Sequence, residues 1–242
     1  MNPICTIILA AGKGTRLKSE KPKVMHEILG LPLIFYPINL ARKFSSGIIC
    51  VVGHGRETVG PYLEQYPVSQ VVQDPPLGTG HAVMVARDIL RDTPVKDVII
   101  IPGDMPLIQE SSLTSLIEIY QQSGAPIGIL TAELPDPFGY GRIIRDGNNF
   151  VKAIVEHNDA TEEQRRVNEI NTGVFIIDKD FLLNAVDRLT PNNAKGEYYL
   201  TDIVHMADRA AAFTIPPLRF PLNCILGTLA EGLGCFPFDT GR

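Results

Sequence analysis

The sequence predicts an α/β fold, a mostly parallel mixed sheet flanked by helices. Three observations predict it. Short apolar runs recur with turn residues directly behind them, the pattern of strands buried on both faces. Segments with helical spacing lie between those runs, so strands and helices alternate through the first ~130 residues. Past Leu134 the rhythm changes to longer strands with short links, which adds a mixed-direction part. A chain of 242 residues with 45% apolar content suffices for one such domain and its core.

The elements follow in order. Ile4–Ala10 reads as the first buried strand, and Ile48–Val52, Val98–Ile101 and Ile127–Leu130 read the same way. Ala82, Val85, Ala86 and Ile89 recur at i, i+3, i+4 and i+7, as do Leu113, Leu116, Ile117 and Tyr120, so each set marks a helix with one apolar face. Strand–helix alternation of this kind builds right-handed βαβ units. Asp136–Gly141 is rich in turn residues. Arg142–Arg145, Phe150–Glu156 and Gly173–Ile177 read as strands, with Asp146-Gly147 carrying one link, and this part is expected to cover one end of the parallel sheet. Phe181–Leu189 is a helix, and Leu200, Ile203, Val204 and Ala207 mark another. From Ala210 the composition shifts: the last 33 residues hold no lysine and four charged residues, and Pro216, Pro217 and Pro221 preclude a regular helix there. The expected division is a domain over 1–209 and an atypical tail over 210–242, produced either by a frameshift near residue 210 or by divergence.

Composition excludes several classes. A net charge of -5 argues against a basic nucleic-acid-binding surface. The four cysteines, Cys5, Cys50, Cys224 and Cys235, form no CxxC pair, against a zinc ribbon or a disulfide scaffold. No apolar run reaches membrane-spanning length, and the N-terminus lacks the layout of a signal peptide, so a cytoplasmic protein without membrane insertion is expected. The histidines at 26, 54, 81, 157 and 205 show no metal-ligand spacing and are read as surface or loop residues. No GxSxG elbow and no HExxH motif occurs.

The strongest chemical signal is Leu9-Ala10-Ala11-Gly12-Lys13-Gly14-Thr15-Arg16, followed by Pro22-Lys23. Small residues and glycines after a strand let backbone N–H groups approach a phosphate, and a following helix would add its dipole. Lys13, Arg16 and Lys23 supply cations. The spacing is neither GxGxxG nor a Walker A loop. A glycine turn with solvated charges is the bland alternative. The second signal is Pro102-Gly103-Asp104-Met105-Pro106, behind the strand Val98–Ile101, where open α/β sheets bind ligands. A carboxylate there suits Mg²⁺ shared with phosphate oxygens, although a lone Asp is more commonly a turn or cap residue. The third is Gln73 with Leu77-Gly78-Thr79-Gly80-His81, an amide and a glycine loop able to read a pyrimidine edge or simply to cap a helix. The fourth is dispersed: Gly141, Glu156 and Asn171 lie near strand ends, where they could bind sugar hydroxyls or be ordinary strand-end polar groups.

Taken together these segments resemble a known family. LAAGKGTRLKSEKPKVMHEILGLPL is similar to the signature of the sugar-phosphate nucleotidyltransferases. PLGTGHAV, PGDMPLI, FGYGRIIR, IVEHNDATEEQ, NEINTGVF and NAKGEYYLTDIV match, in order, blocks of the uridylyltransferase half of the bifunctional GlmU family. The resemblance runs over roughly residues 4–207, and the last three blocks separate it from the related cytidylyl- and guanylyltransferases. It implies a Rossmann-like core that transfers a uridylyl group from UTP to N-acetyl-α-D-glucosamine 1-phosphate and releases pyrophosphate. By motif, Leu9, Ala10, Ala11 and Gly12 line the nucleotide pocket with Gly103, and Lys23 and Arg16 meet the phosphates as the catalytic cations. Gln73, Gly78 and Thr79 match the uracil-reading positions, Asp104 the Mg²⁺ ligand, and Gly141, Glu156 and Asn171 the sugar site. Two departures accompany the match. The family's Gly-Val-Asn block, source of a second Mg²⁺ ligand, does not appear, since Asn223 stands in a different context. Nor is the C-terminal left-handed β-helix that carries the acetyltransferase expected in these residues. A monomer or weak oligomer is therefore expected. Another sugar-phosphate nucleotidyltransferase, or a nucleotide-sugar binder that has lost turnover, are the alternatives.

Overall fold

A computed structural model describes residues 3–14, 17 and 19–215. The strands are β1 (Ile4–Ala10), β2 (Glu27–Ile28), β3 (Leu31–Pro32), β4 (Gly47–Val52), β5 (Ser69–Val72), β6 (Asp97–Pro102), β7 (Ile127–Glu133), β8 (Arg142–Arg145), β9 (Val151–Val155), β10 (Glu169–Asp178) and β11 (Ala210–Ile215). The helices are α1 (Phe35–Phe44), α2 (Arg56–Leu63), α3 (Thr79–Asp92), α4 (Glu110–Ser123), α5 (Glu162–Arg165) and α6 (Lys179–Val186). Lys23–Met25 and Leu200–Met206 form 3-10 turns.

The apolar runs dictate the centre. Alternate residues of a strand face opposite sides. In β1, Cys5 and Ile7 enter one core, while Ile8 and Ala10 enter the other. A strand buried on both faces needs neighbours on both edges, and β1 lies parallel between β4 and β6. The main sheet has nine strands in the order β5-β4-β1-β6-β10-β7-β11-β9-β8. β10 is antiparallel to β6, β7 and β8, and β9 is antiparallel to β8 and β11; the remaining pairings of this sheet are parallel. On one face α3, α6 and the Leu200–Met206 turn pack Ala86, Leu90, Leu182 and Ile203 over the sheet. On the other face, α4 supplies Leu113, Leu116 and Ile117, and α1 and α2 supply Ile38, Ala41, Val59 and Leu63.

Most elements fall where the sequence places them, and the exceptions have physical causes. The Leu200–Ala207 segment is a 3-10 turn, not an α-helix. β10 starts at Glu169 and takes in Asn171, with a bulge between Asn171 and Val174. The β8–β9 link is not a two-residue Asp-Gly turn. Asp146 Oδ1 accepts the N–H groups of Asn148 and Phe150, and Asn149 takes the left-handed conformation at φ 66°. Residues 210–215, grouped by composition with the tail, form a strand in register with β7 from Ala210↔Ile127 to Ile215↔Ala132. The rest of the tail, with Asn223, lies outside the described residues.

Candidate active site

The site begins at the C-terminal ends of β1 and β6. The chain runs from β1 outward to β4 and β5, then returns to β6 on the other side of β1. Such reversals open a ligand crevice in α/β sheets. Leu9–Ala11 close β1, and Gly12 follows, exposed. Gly103 N–H donates to Leu9 O at 2.8 Å, so the loop after β6 is tied to the end of β1. Leu17 N–H donates to Gly14 O, and the first α-helix among the described residues begins at Phe35. Arg16 lies outside the described residues.

The 3-10 turn at Lys23–Met25 buries Val24 and Met25 and leaves Lys23 on the crevice side. There Lys23 Nζ forms an ion pair with Asp104 Oδ2. Two charges that the sequence singles out, Lys23 and Asp104, therefore meet. Among the described residues, no three His, Cys, Asp or Glu side chains converge on a metal position. Mg²⁺ usually binds proteins through one or two carboxylates and completes its shell with phosphate and water, so Asp104 beside a phosphate-type loop fits it.

The group around Gln73, expected from sequence to read a base, is built by long-range contacts. Gln73 is buried, and its amide Nε2 lies 2.8 Å from Gly78 O and 3.1 Å from His81 Nδ1. Thr79 is the first residue of α3; its hydroxyl accepts Leu200 N–H at 3.1 Å instead of capping its own helix. Tyr198 N–H donates to Leu77 O at 2.8 Å, and Gly80 N–H donates to Tyr198 O at 2.7 Å. Gly78 has φ +109°, and a Cβ there would stand 2.6 Å from Tyr198 O. The glycine is thus required by both its backbone angle and this close approach. His81, read from sequence as a surface or loop residue, sits in α3 and touches Gln73.

The third group is brought together by the antiparallel part of the sheet. Asn171 N–H donates to Gly141 O at 2.9 Å, and a methyl at Gly141 would stand 3.3 Å from Glu156 Oε1. Thr201 donates its hydroxyl to Glu156 Oε1 at 3.3 Å. Burial pushes the Glu156 carboxyl above its ordinary range, opposed by the Thr201 hydroxyl and the Lys195 charge. Gly173, in the β10 bulge with φ +84°, brings this group against the end of β6: a Cβ there would lie 3.0 Å from Pro102. Arg142 is 1% exposed; its guanidinium donates to Tyr140 O and bonds His157 Nδ1, holding the Phe138–Gly141 loop against the segment just after β9 that contains Glu156.

Three residues of the site carry no signal in their identity alone: His81, Thr201 and Tyr199. The Tyr199 hydroxyl is buried without a partner among the described residues. Burial and the surrounding carboxylates of Asp159, Glu156, Glu197 and Asp202 push it up to about 12. Its position inside the GEYYLTD block, next to the 3-10 turn that supplies Thr201, is the one cue available from sequence.

Known proteins resemble this chain in sequence and in fold. The family described as MobA-like NTP transferase domain matches residues 6–165. A "Bifunctional protein GlmU" from Geotalea uraniireducens is 46% identical over 209 residues, covering 86% of this chain and 46% of that protein. One from Geobacter sulfurreducens is 42% identical over 226 residues, covering 92% and 47%. The chain thus spans less than half the length of these curated relatives. Among solved structures, UDP-glucose pyrophosphorylase complexed with UDP-glucose superposes with a TM-score of 0.73 at 22% identity, over 88% of this chain and 91% of that one. The apo form of a UDP-glucose pyrophosphorylase gives 0.72 at 20% identity, over the same shares. At those identities the likeness concerns the fold. No helix among the described residues is long and apolar enough to cross a membrane. From the crevice between β1 and β6 and the extent of the match, the chain belongs to the MobA-like NTP transferase domain family.

Proposed function

We propose that this chain transfers the uridylyl group of UTP to N-acetyl-α-D-glucosamine 1-phosphate, giving UDP-N-acetylglucosamine and pyrophosphate. One observation carries the reading. The Leu9–Gly12 loop is tied through Gly103 to the loop after β6, Lys23 pairs with Asp104 of that loop, Gln73 bonds Gly78, and the Gly141–Glu156–Asn171 group adjoins the end of β6 through Gly173 and Pro102. The ordered blocks that resemble the GlmU family support the choice of substrates.

The reaction needs no protein nucleophile, because the sugar phosphate is already an anion. One of its oxygens attacks the α-phosphorus of UTP in line. The bond from that phosphorus to the oxygen bridging toward the β-phosphate breaks, and its electron pair leaves with pyrophosphate. The barrier lies in bringing anions together and in the charge on the leaving group. Leu9–Gly12 offer backbone N–H groups to phosphate, Lys23 supplies a cation, and Arg16 is assigned to the triphosphate. Asp104 would hold Mg²⁺, which supplies positive charge at the phosphates. Lys23 is paired with Asp104 in the structure, and it turns to a phosphate when that carboxylate is otherwise engaged. Gln73, Gly78 and Thr79 read the base. Gly141, Glu156 and Asn171 hold the sugar.

Pyrophosphate release is the test, measured with UTP, CTP and GTP against several sugar 1-phosphates in the presence of Mg²⁺. Turnover with UTP and N-acetylglucosamine 1-phosphate supports the reading. Preference for CTP with no turnover of that sugar overturns it. The missing Gly-Val-Asn block favours a second reading, a nucleotide-sugar binder without turnover. Calorimetric binding of UDP-N-acetylglucosamine with no pyrophosphate release selects that one.

A further inference from the structure

The amide of Gln73 is oriented by two acceptors, and the consequence is specificity. Gly78 O can only accept a hydrogen bond, so the group 2.8 Å from it is the amide nitrogen and not the amide oxygen. The second hydrogen of that nitrogen points at His81 Nδ1, 3.1 Å away. To accept it, Nδ1 carries no proton, and the proton of the neutral ring sits on Nε2. Both donors of Gln73 are then consumed inside the protein. Its Oε1 accepts no hydrogen bond from the described residues and is not among their buried unpartnered atoms, which leaves it open to a ligand.

We propose that His81 is a positioning residue that leaves Gln73 with only an acceptor to offer, so that the pocket takes uracil and rejects cytosine. This rests on the uridylyl reading above and names how the base is chosen. Uracil presents N3–H, a donor that pairs with Oε1. Cytosine presents N3 as an acceptor, which finds no donor and faces the oxygen lone pairs. Position 81 suits the task. It lies in the first turn of α3, beside Tyr198 at 6.3 Å between ring centroids, and the Tyr198 backbone is bonded to both Leu77 and Gly80. Without an acceptor at position 81, the second amide hydrogen is free for cytosine N3.

The test compares His81→Leu, His81→Gln and His81→Asn. An Asn carbonyl falls near the place of Nδ1, whereas a Gln carbonyl falls near Nε2. His81→Leu and His81→Gln are expected to lower the UTP/CTP ratio of kcat/KM about 10-fold, mostly through KM, and His81→Asn to restore most of it. Nitrogen-15 spectra of the unmodified chain are expected to show His81 with Nδ1 unprotonated. Equal loss for UTP and CTP in all three variants, an unchanged ratio in His81→Leu, or a proton on Nδ1 each overturns the proposal. Failure of the unmodified chain to turn over UTP sinks the uridylyl reading instead, and the nitrogen-15 spectrum still decides whether His81 holds Gln73 as described.

Discussion

Replacing Glu169 by Gln should destabilise the antiparallel end of the sheet. Glu169 on β10 accepts from Arg145 Nε at 2.8 Å and Arg145 Nη2 at 2.5 Å, from Thr131 at 2.6 Å on β7, and from Thr214 at 3.1 Å on β11. Four strands therefore meet on one carboxylate, whose side chain is 14% exposed against 22% for Arg145. Burial alone would raise its pKa, but the Arg145 and Thr131 hydrogen bonds, the Arg145 charge and the Thr214 hydroxyl hold it below the ordinary carboxylate range. Glutamine keeps one acceptor for the threonines. It loses the charge and sets an NH2 group against a guanidinium that remains half-buried. Charge-assisted bonds contribute about 1.5–3 kcal/mol each, and unpairing a partly buried ion costs about as much again, so a net loss of about 2–3 kcal/mol follows once the retained bonds are counted. For a chain of this size that is a fall in Tm of roughly 5–10 °C. Urea denaturation followed by circular dichroism measures it. The sign with pH is fixed: a lowered carboxyl pKa gives stability that is complete above the unfolded value, ~4.3, and disappears as pH falls through the folded one. The gap between Glu169→Gln and the unmodified chain should therefore shrink below about pH 4. Equal stability at pH 7, or a gap independent of pH, would refute the reasoning.

Further outcomes follow from the site. Asp104→Ala should lower Mg²⁺-dependent pyrophosphate release on the order of 100-fold or more, read in the same assay, and unchanged release excludes Asp104 as the principal ligand. Glu156→Gln should bind the sugar more weakly yet unfold at higher urea near pH 7. Burial raises the carboxyl pKa, so folding takes up a proton, and stability falls as pH climbs through the folded value; the amide escapes that cost. Lower stability of this variant at pH 7 than at pH 4, relative to the unmodified chain, contradicts it. Gly78→Ala should lose about 2–4 kcal/mol of stability or most nucleotide affinity, because the new methyl meets Tyr198 O at 2.6 Å with φ +109°. A variant with unchanged melting and UTP binding would show that the loop accommodates the methyl.

Which elements were legible follows from how burial writes itself into sequence. β1, β4 and β6 are short runs of Ile, Val and Cys with glycine or proline behind them, and two covered faces demand that composition. α3 and α4 show their apolar stripe at the helical period. Three of the unread elements, α2, β5 and β11, lack any such pattern. α2 contains Gly60 and Pro61, so its residue preferences argue against a helix, and Val59 and Leu63, with Tyr62 packed against the same cluster, hold it. β5 is an edge strand with three of its four residues exposed, and it shows no alternation. β11 begins Ala-Ala-Ala, which favours a helix by intrinsic preference; pairing with β7 overrides it.

For the site, the sequence by itself determined which kinds of group stand at the strand ends. An aspartate behind β6, a small-residue loop behind β1 and a glutamine behind β5 are local facts, because a strand that ends must turn and its next residues face solvent or ligand. Only the tertiary structure decided what those groups can do. Lys23 finds Asp104, Gln73 finds Gly78 and His81, and Glu156 finds Thr201 and Gly141. Leu77, Gly80 and Thr79 are fastened by residues 198–200, more than a hundred positions away. Such pairings depend on sheet order and register, which no local period encodes.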